Sequence, residues 1–406
     1  MKTLLFVDDE PRVLQALQRQ LYDMRHEWRV HFVSECAKAL DFMAATPVDV
    51  IITDMTMPFM DGAQLLTEVM QRHPNTVRLV LSGHADRESI LRLVGPAHQY
   101  LSKPCNPLEL RGAIGRALAL RDLLGNEKLK QVATGTRSLP TLPALHVQLT
   151  RELSKEEPSM ERIGEIITKD VGLTTKILQV VNSAFFGLPQ TITRPADAVL
   201  YLGLATMRAL VLSAHIFSQF DEKKVKGFSI RALEEHSWLT ATLARRIADA
   251  EHCDPKIDDQ CFLAGLLHEV GRLILANGMP EQYALVLEKA RQRAEPLWEV
   301  ERAELGASQA EVGGYLLGLW ALPNPVVEGV ALHHRPADCA GRGFSPVIAV
   351  HVANAFAHDQ AGDHPYWPGD EIDFATLAQL GLAGRLEAWK EKCLAGATEH
   401  GAPLTV

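Results

Sequence analysis

The sequence predicts two domains of different class: an open α/β domain over residues 1–124 and an all-α domain over residues 138–396, joined by a linker at 125–137. Three observations carry this. Four short apolar runs in the first part each end in polar or charged residues. Leu4-Leu5-Phe6-Val7 ends in Asp8-Asp9, and Val48-Asp49-Val50-Ile51-Ile52-Thr53 ends in Asp54. Val77-Arg78-Leu79-Val80-Leu81 ends in Ser82-Gly83, and Gln99-Tyr100-Leu101-Ser102 in Lys103-Pro104. Short, nearly continuous apolar runs fit strands buried on both faces of a parallel sheet. The stretches between them carry helix-start signals. Beyond residue 138 apolar residues recur with a period of 3.6, and strand-like alternation is absent.

In order along the chain, Pro11 opens the first helix, where its missing N–H costs nothing. A second strand follows at 29–34 and a second helix at 37–45. Asp61 caps a third helix that runs towards His73, with Pro74 just past its end. Residues 86–94 form a fourth helix, and Asn106 caps a fifth that runs through Leu124. Residues 125–137 are polar, lack apolar periodicity at their end, and read as a linker begun by an extension of the fifth helix. Helices are then expected over 145–153, 163–167, 173–181, 196–202, 205–220, 233–250, 260–276, 280–293, 309–319, 325–333 and 346–358. Residues 373–380 and 382–394 form an amphipathic tail packed on the domain, and 397–406 trail off.

In an open α/β sheet, ligands bind at the carboxyl ends of the strands. Three carboxylates (Asp8, Asp9, Asp54), the Ser82 hydroxyl and the Lys103 ammonium collect at that edge. Clustered carboxylates repel one another unless a hard cation neutralises them. Mg²⁺ is typically held by one or two carboxylates, waters and a phosphate. Phosphoryl transfer is mostly positioning and charge neutralisation. The edge therefore reads as a phosphoryl-transfer site. Asp54 is the nucleophile, Asp9 binds Mg²⁺ directly, Asp8 binds it through water, and Lys103 and Ser82 meet phosphoryl oxygens.

These residues resemble the receiver domain of two-component response regulators, a flavodoxin-like fold, over about residues 1–124. The resemblance implies a five-stranded parallel sheet of order 2-1-3-4-5, Mg²⁺ as cofactor, and a sensor histidine kinase or phosphotransfer protein as partner. Pro58 and Gly62 fit the loop after the phosphoacceptor. Pro104 fits the proline after the lysine, whose peptide bond is cis in the family. Tyr100 matches the switch aromatic, and the backbone carbonyl of Thr56 matches a further Mg²⁺ contact.

Leu139-Pro140-x-Leu142-Pro143, Asp170-x-x-Leu173-x-x-Lys176-x-Leu178 and Val181-Asn182-Ser183-Ala184-Phe185-Phe186-Gly187 are followed by Tyr201-Leu202-Gly203. This series resembles the HDOD domain, a non-enzymatic branch of the HD-type metal phosphohydrolases. Active HD enzymes use His- and Asp-bound metals to activate a water for attack on phosphorus. Here His236 matches the first histidine, and His268-Glu269 replaces the His-Asp pair. Gln309 stands where active members have histidine. His333-His334 survives, but Pro336 follows and no Gly-Tyr-Pro tripeptide does. Asn354, ending His351-Val352-Ala353-Asn354, stands where aspartate is expected. Glutamine is a poor replacement for an imidazole ligand, and asparagine removes a balancing charge. No metal is expected in this domain, and its histidines read as remnants hydrogen-bonded in a helical core. Phe185-Phe186 reads as core, with an exposed partner-binding patch as the alternative.

A net charge of −9 argues against a nucleic-acid-binding output, which needs Lys and Arg clusters. No run of eighteen apolar residues appears, which argues against membrane insertion. The opening Met-Lys-Thr-Leu-Leu-Phe-Val is too short an apolar run for a signal peptide, and Asp8-Asp9-Glu10 ends it at once. Six scattered cysteines without a CxxC read as reduced thiols of a cytoplasmic protein.

The leading functional reading is a phosphorylation-controlled regulator whose HDOD domain binds an unknown downstream protein or changes assembly, a homodimer included. A second reading is a metal-dependent phosphodiesterase acting on a cyclic dinucleotide. A third is a phosphate sink with a purely structural second domain.

Overall fold

Burial of uninterrupted apolar runs builds the first domain. The computed structural model describes residues 1–82, 96–123, 126–136, 139–140, 143–153, 155, 157–182, 191–212, 217–218, 225–320, 322–339, 343–361 and 371–395. Strands β1 (Lys2–Val7), β2 (Trp28–Val33), β3 (Val50–Asp54), β4 (Val77–Ser82) and β5 (Gln99–Ser102) form one parallel sheet in the order β2-β1-β3-β4-β5. Leu4 lies beside Val50, Val50 beside Val77, and Val80 beside Tyr100. This register brings the carboxyl ends of β1, β3, β4 and β5 to one edge. Leu4, Phe6, Ile52 and Leu79 face one apolar layer; Leu5, Val7, Ile51 and Val80 face the other.

Helices α1 (Pro11–Gln20), α2 (Cys36–Ala45), α3 (Gly62–Arg72) and α4 (Pro107–Leu123) belong to this domain. The expected caps form. Asp61 Oδ1 accepts the Gln64 N–H at 2.8 Å while Gln64 Oε1 accepts the Asp61 N–H at 3.0 Å, a reciprocal capping box. Asn106 Oδ1 accepts the Leu108 N–H at 2.9 Å. The helix expected over 86–94 lies outside the described residues.

The linker departs from the sequence reading. Residues Glu127–Gly135 form a separate helix, α5, with Leu129, Lys130, Ala133 and Thr134 buried. Its own amphipathic signal is short, so isolated propensity is weak; packing between the domains stabilises it. Asn126 caps it by accepting the Lys128 N–H at 2.9 Å and donates to Leu305 O at 2.6 Å. Its last turn is clasped by the receiver sheet. Arg78, fully buried on β4, donates through Nε to Pro96 O at 2.5 Å and through its terminal nitrogens to Thr76 O at 3.1 Å and Thr134 O at 2.6 Å. His98 Nδ1 accepts the Arg78 backbone N–H at 3.0 Å, so its proton sits on Nε2, which lies 3.0 Å from the same Thr134 carbonyl. The Thr134 hydroxyl reaches back to Pro74 O.

The second domain is helical: α6 (Pro143–Leu153), α7 (Met160–Thr168), α8 (Val171–Val181), α9 (Pro195–Leu212), α10 (Ile230–Ala250), α11 (Pro255–Leu267), α12 (Val270–Gly278), α13 (Pro280–Arg293), α14 (Leu297–Leu305), α15 (Gln309–Leu319), α16 (Asn324–Leu332), α17 (Pro346–Ala361), α18 (Phe374–Gln379) and α19 (Leu386–Ala395). Four details differ from the sequence reading. The helix expected over 205–220 ends at Leu212, beyond a break at Gly203 whose φ of 71° only glycine adopts freely. Strand pairing is present: Leu139–Pro140 pairs in parallel with Phe217–Ser218, a ladder too short to leave an alternation pattern. The helix expected over 260–276 is interrupted at His268-Glu269. A side chain at Gly271 would put its Cβ 1.9 Å from Gln309 O, so the break lets α12 pass against the start of α15. Finally α14, bounded by Pro296 and by Gly306 at φ 86°, was not anticipated. Phe185-Phe186 lie outside the described residues.

Lys176 on α8 is a buried cation in this core. Its Nζ donates to Gln179 Oε1 at 3.2 Å and sits 4.0 Å over the Trp320 ring. Burial pushes its pKa from 10.5 down to about 7. At neutral pH much of the folded protein therefore carries a desolvated ammonium. Lys176→Met should stabilise the chain by at least about 1 kcal/mol near pH 7, read from the urea midpoint. The sign follows from the shift. The wild type gains stability as pH rises from about 7 towards 10.5, because the unfolded chain holds the proton longer. The advantage of Met should accordingly shrink at alkaline pH, and a lower midpoint for the variant at neutral pH would refute the argument.

Candidate functional site

The carboxyl edge of the sheet gathers Asp8, Asp54 and Lys103. Asp8 is buried, and Asp54 ends β3 partly exposed. Lys103 Nζ lies 2.6 Å from Asp8 Oδ2 and 2.7 Å from Asp54 Oδ1, bridging the two strands. Partial burial lowers the Lys103 pKa, but hydrogen bonds and charge from Asp54 and Asp8 outweigh it and hold the amine above its ordinary value. The other Asp54 oxygen accepts the Thr56 N–H at 3.3 Å, and Asp8 Oδ1 accepts the Glu10 N–H at 3.0 Å. Asp9 follows on the same loop, half-buried.

Backbone geometry fixes Asp54. Gly62 packs so tightly that an added Cβ would lie 2.1 Å from the Asp54 carbonyl oxygen, and its N–H donates to Met55 O at 2.9 Å. The Lys103–Pro104 peptide is cis. Tyr100 is buried, and its hydroxyl has no hydrogen-bond partner among the described residues. Burial raises its pKa. The Ser82 backbone closes β4 opposite Ser102, but its side chain lies outside the described residues.

The donor set suits Mg²⁺. Hard carboxylate oxygens from two adjacent strands converge, and the ammonium already spanning two of them marks where positive charge is required. Asp8, Asp9 and Asp54, with the Thr56 carbonyl, are the residues that would hold the ion.

The second constellation lies where α10, α11, α15, α16 and α17 meet. His236 Nε2 is 2.8 Å from Asn354 Oδ1 and 3.5 Å from the Thr240 hydroxyl. His268 Nδ1 donates to Gly265 O at 2.7 Å, and His333 Nδ1 to Val330 O at 2.8 Å. Gln309 Nε2 lies 3.3 Å from His334 Nε2, and Trp298 stacks on His334 with centroids 5.4 Å apart. His351 Nδ1 donates to His333 O at 2.7 Å, and its Nε2 accepts the Asp373 N–H at 2.8 Å. One potential ligand atom from each of His236, His268 and Glu269 lies within 4.8 Å of the other two. All seven residues singled out from the sequence thus fall in one neighbourhood.

Sequence reasoning missed the charged groups behind these histidines. Arg272 lies 2.7 Å from Glu269 Oε1. Buried Glu301 on α14 accepts the Tyr283 hydroxyl at 2.8 Å and the Gln309 N–H at 2.7 Å. The three-residue spacing of Glu269 and Arg272 on a helix was a usable signal; Glu301 sat on the unanticipated helix and gave none.

A strand-end aspartate bridged by lysine on a 2-1-3-4-5 parallel sheet marks the class of the first domain as receiver-like, and the family models agree. The response regulator receiver domain family matches residues 4–115 and the HDOD domain family residues 139–336. The signal receiver domain of an HD domain-containing protein from Pseudomonas fluorescens Pf-5 is 32% identical, covering 30% of this chain and 97% of that one, with a TM-score of 0.29. The MmoQ response regulator from Methylococcus capsulatus is 25% identical over 62% of this chain and 97% of that one, with a TM-score of 0.49. An uncharacterized protein of Treponema pallidum is 26% identical over 239 residues, 58% of this chain and 45% of its own length. The hydrogenase transcriptional regulatory protein HoxA of Cupriavidus necator is 39% identical over 126 residues, 30% of this chain and 26% of its own length. The chain therefore spans less than half of these two relatives. It belongs to the response regulators and joins a receiver domain to an HDOD domain. No helix among the described residues is long and apolar enough to cross a membrane.

Proposed function

We propose that this response regulator is switched by phosphorylation of Asp54 and signals through a non-catalytic, protein-binding HDOD domain in the cytoplasm. The carrying observation is Lys103 held between Asp8 and Asp54. The phosphodonor is a sensor histidine kinase or phosphotransfer protein. An Asp54 carboxylate oxygen attacks phosphorus, the bond to the donor breaks, and the donor leaves with its electron pair. Bound Mg²⁺ would neutralise charge on the transferring group. Lys103 then exchanges one carboxylate partner for a phosphoryl oxygen, and the Ser82 hydroxyl donates to another.

The phosphoryl dianion that replaces a single carboxylate charge facing Lys103 is a local gain of negative charge able to bias a two-state element. Tyr100, on β5 three residues before Lys103 and with a hydroxyl that has no hydrogen-bond partner among the described residues, is the switch residue this reading assigns. The output is a changed arrangement of the HDOD domain, in one chain or in a two-fold dimer. The phosphodiesterase reading is disfavoured by the hydrogen bonds that engage His236 and Gln309.

Small-angle scattering with and without Mg²⁺ and a beryllofluoride phosphate mimic tests this. The mimic should change the scattering curve and expose α5 to protease, and Tyr100→Ala should weaken both effects. Phosphate must favour one arrangement to act at all, so identical curves and digestion patterns would move the phosphate-sink reading ahead.

A further inference from the structure

We propose that the His236–His268–Glu269 cluster is a divalent-cation site held shut by Arg272, whose guanidinium supplies the positive charge a metal would otherwise bring. The inference rests on the non-catalytic reading of the HDOD domain and gives it a cause that the ligand positions alone do not.

Two of the histidines are in the tautomer a metal ligand needs. His268 and His333 each donate Nδ1–H to the carbonyl three residues earlier, which leaves Nε2 with its lone pair. A backbone carbonyl on the far ring nitrogen is the usual support of a metal-binding histidine. Their rings stand 5.1 Å apart between centroids, and the His236 and His268 rings 5.3 Å. His268 is fully buried, and its Nε2 has no hydrogen-bond partner among the described residues; it faces Glu269 Oε1 at 3.9 Å. An unpaired buried lone pair aimed at a carboxylate is costly unless a cation or proton sits between them.

Arg272 explains why none is required. It lies in the first turn of α12, three residues after Glu269, with its guanidinium 2.7 Å from Glu269 Oε1, and both side chains are buried. A cation at the first turn of a helix opposes the helix dipole, so its placement there is explained by the carboxylate. A second cation entering here would meet the guanidinium at contact range in a low-dielectric core, where like charges repel strongly. His236 Nε2 donates to Asn354 Oδ1, a bond between neutral groups that an entering cation can displace, so Arg272 sets the closure.

The test uses the full chain, without an affinity tag, equilibrated with Mn²⁺ in excess Mg²⁺ so that the receiver carboxylates are filled. Mn²⁺ is counted per chain after gel filtration. The wild type should retain less than a tenth of an equivalent. Arg272→Met should retain at least tenfold more and melt at a higher temperature when Mn²⁺ is added. Adding Glu269→Gln should return it to the wild-type level. Arg272→Gln, neutral but still polar, serves as the second variant and should behave as Arg272→Met does. If both variants fold and retain no more Mn²⁺ than the wild type, the inference falls while the non-catalytic reading stands. Failure of both to fold even with Mn²⁺ also overturns it, since the metal was to replace the guanidinium. A full equivalent on the wild type defeats both the inference and the reading beneath it.

Discussion

Asp54→Asn should abolish the acid-labile phosphoryl group that the full chain acquires from a small acyl phosphate in the presence of Mg²⁺. The wild type should take up one such group per chain, read by intact mass. The amide is isosteric with the carboxylate but is not a nucleophile at neutral pH. It also removes one of the two negative charges facing Lys103, while the 2.6 Å contact from Asp8 remains to anchor the amine. The variant should therefore stay folded, so lost labelling reports chemistry. Activated nucleophiles contribute orders of magnitude to rate, and transfer to any other carboxylate should be slower by about a hundredfold or more. Equal labelling of the variant would sink the assignment. Ser82 and Asp9 should have graded effects, because each supplies one interaction with a group already held by several.

Acid should unfold the protein through two buried histidines, one in each domain. Burial and then the charge of Arg78 hold His98 well below the usual histidine value of 6.5. Burial and then His333 and His236 do the same to His268. Both are bases with depressed folded pKa values, so below 6.5 the unfolded chain binds the proton that the folded chain refuses. Their stabilisation is complete above about pH 6.5 and is lost as the pH falls towards the folded values. Each should cost about 1 kcal/mol by pH 5.5 and approach about 1.4 kcal/mol for each further pH unit. Urea unfolding at several pH values reads the slope. His268→Gln, which takes up no proton, should remove one histidine's share of it. An unchanged slope in that variant would place the acid sensitivity elsewhere.

How far these features could be read in advance depended on the period of each pattern. The receiver sheet was legible because its strands are buried on both faces, leaving short apolar runs with functional groups at their ends. The Lys103 bridge could be anticipated in kind, as its carboxylate partners Asp8 and Asp54 lie at the ends of adjacent strands. The caps at Asp61 and Asn106 were equally local. The Arg78 network was not read, although an arginine between Val77 and Leu79 in a buried run was a visible anomaly. Its partners His98 and Thr134 lie 20 and 56 residues away, and the carbonyls of Thr76, Pro96 and Thr134 that accept from it are backbone groups without a sequence signature. Helix α5 escaped for a related reason: what stabilises it is the surface on either side. The HDOD histidines were identified residue by residue from a family likeness, but Arg272 and Glu301 belong to no ligand pattern and emerged only when the helices were placed together.

That arginine-centred network has a consequence for how the two halves can be separated. A receiver cut after its last sheet-covering helix would carry Arg78 and His98 to a newly wet face, where the carbonyl of Thr134 no longer meets them. Because that acceptor is main chain, no side-chain replacement in the discarded half reproduces it. Grafting this receiver onto another effector should therefore succeed when the cut is made beyond Gly135, carrying the helix along, and fail when it is made at 124. The exchangeable unit is the sheet with its borrowed helix, one element larger than the phosphoacceptor fold itself.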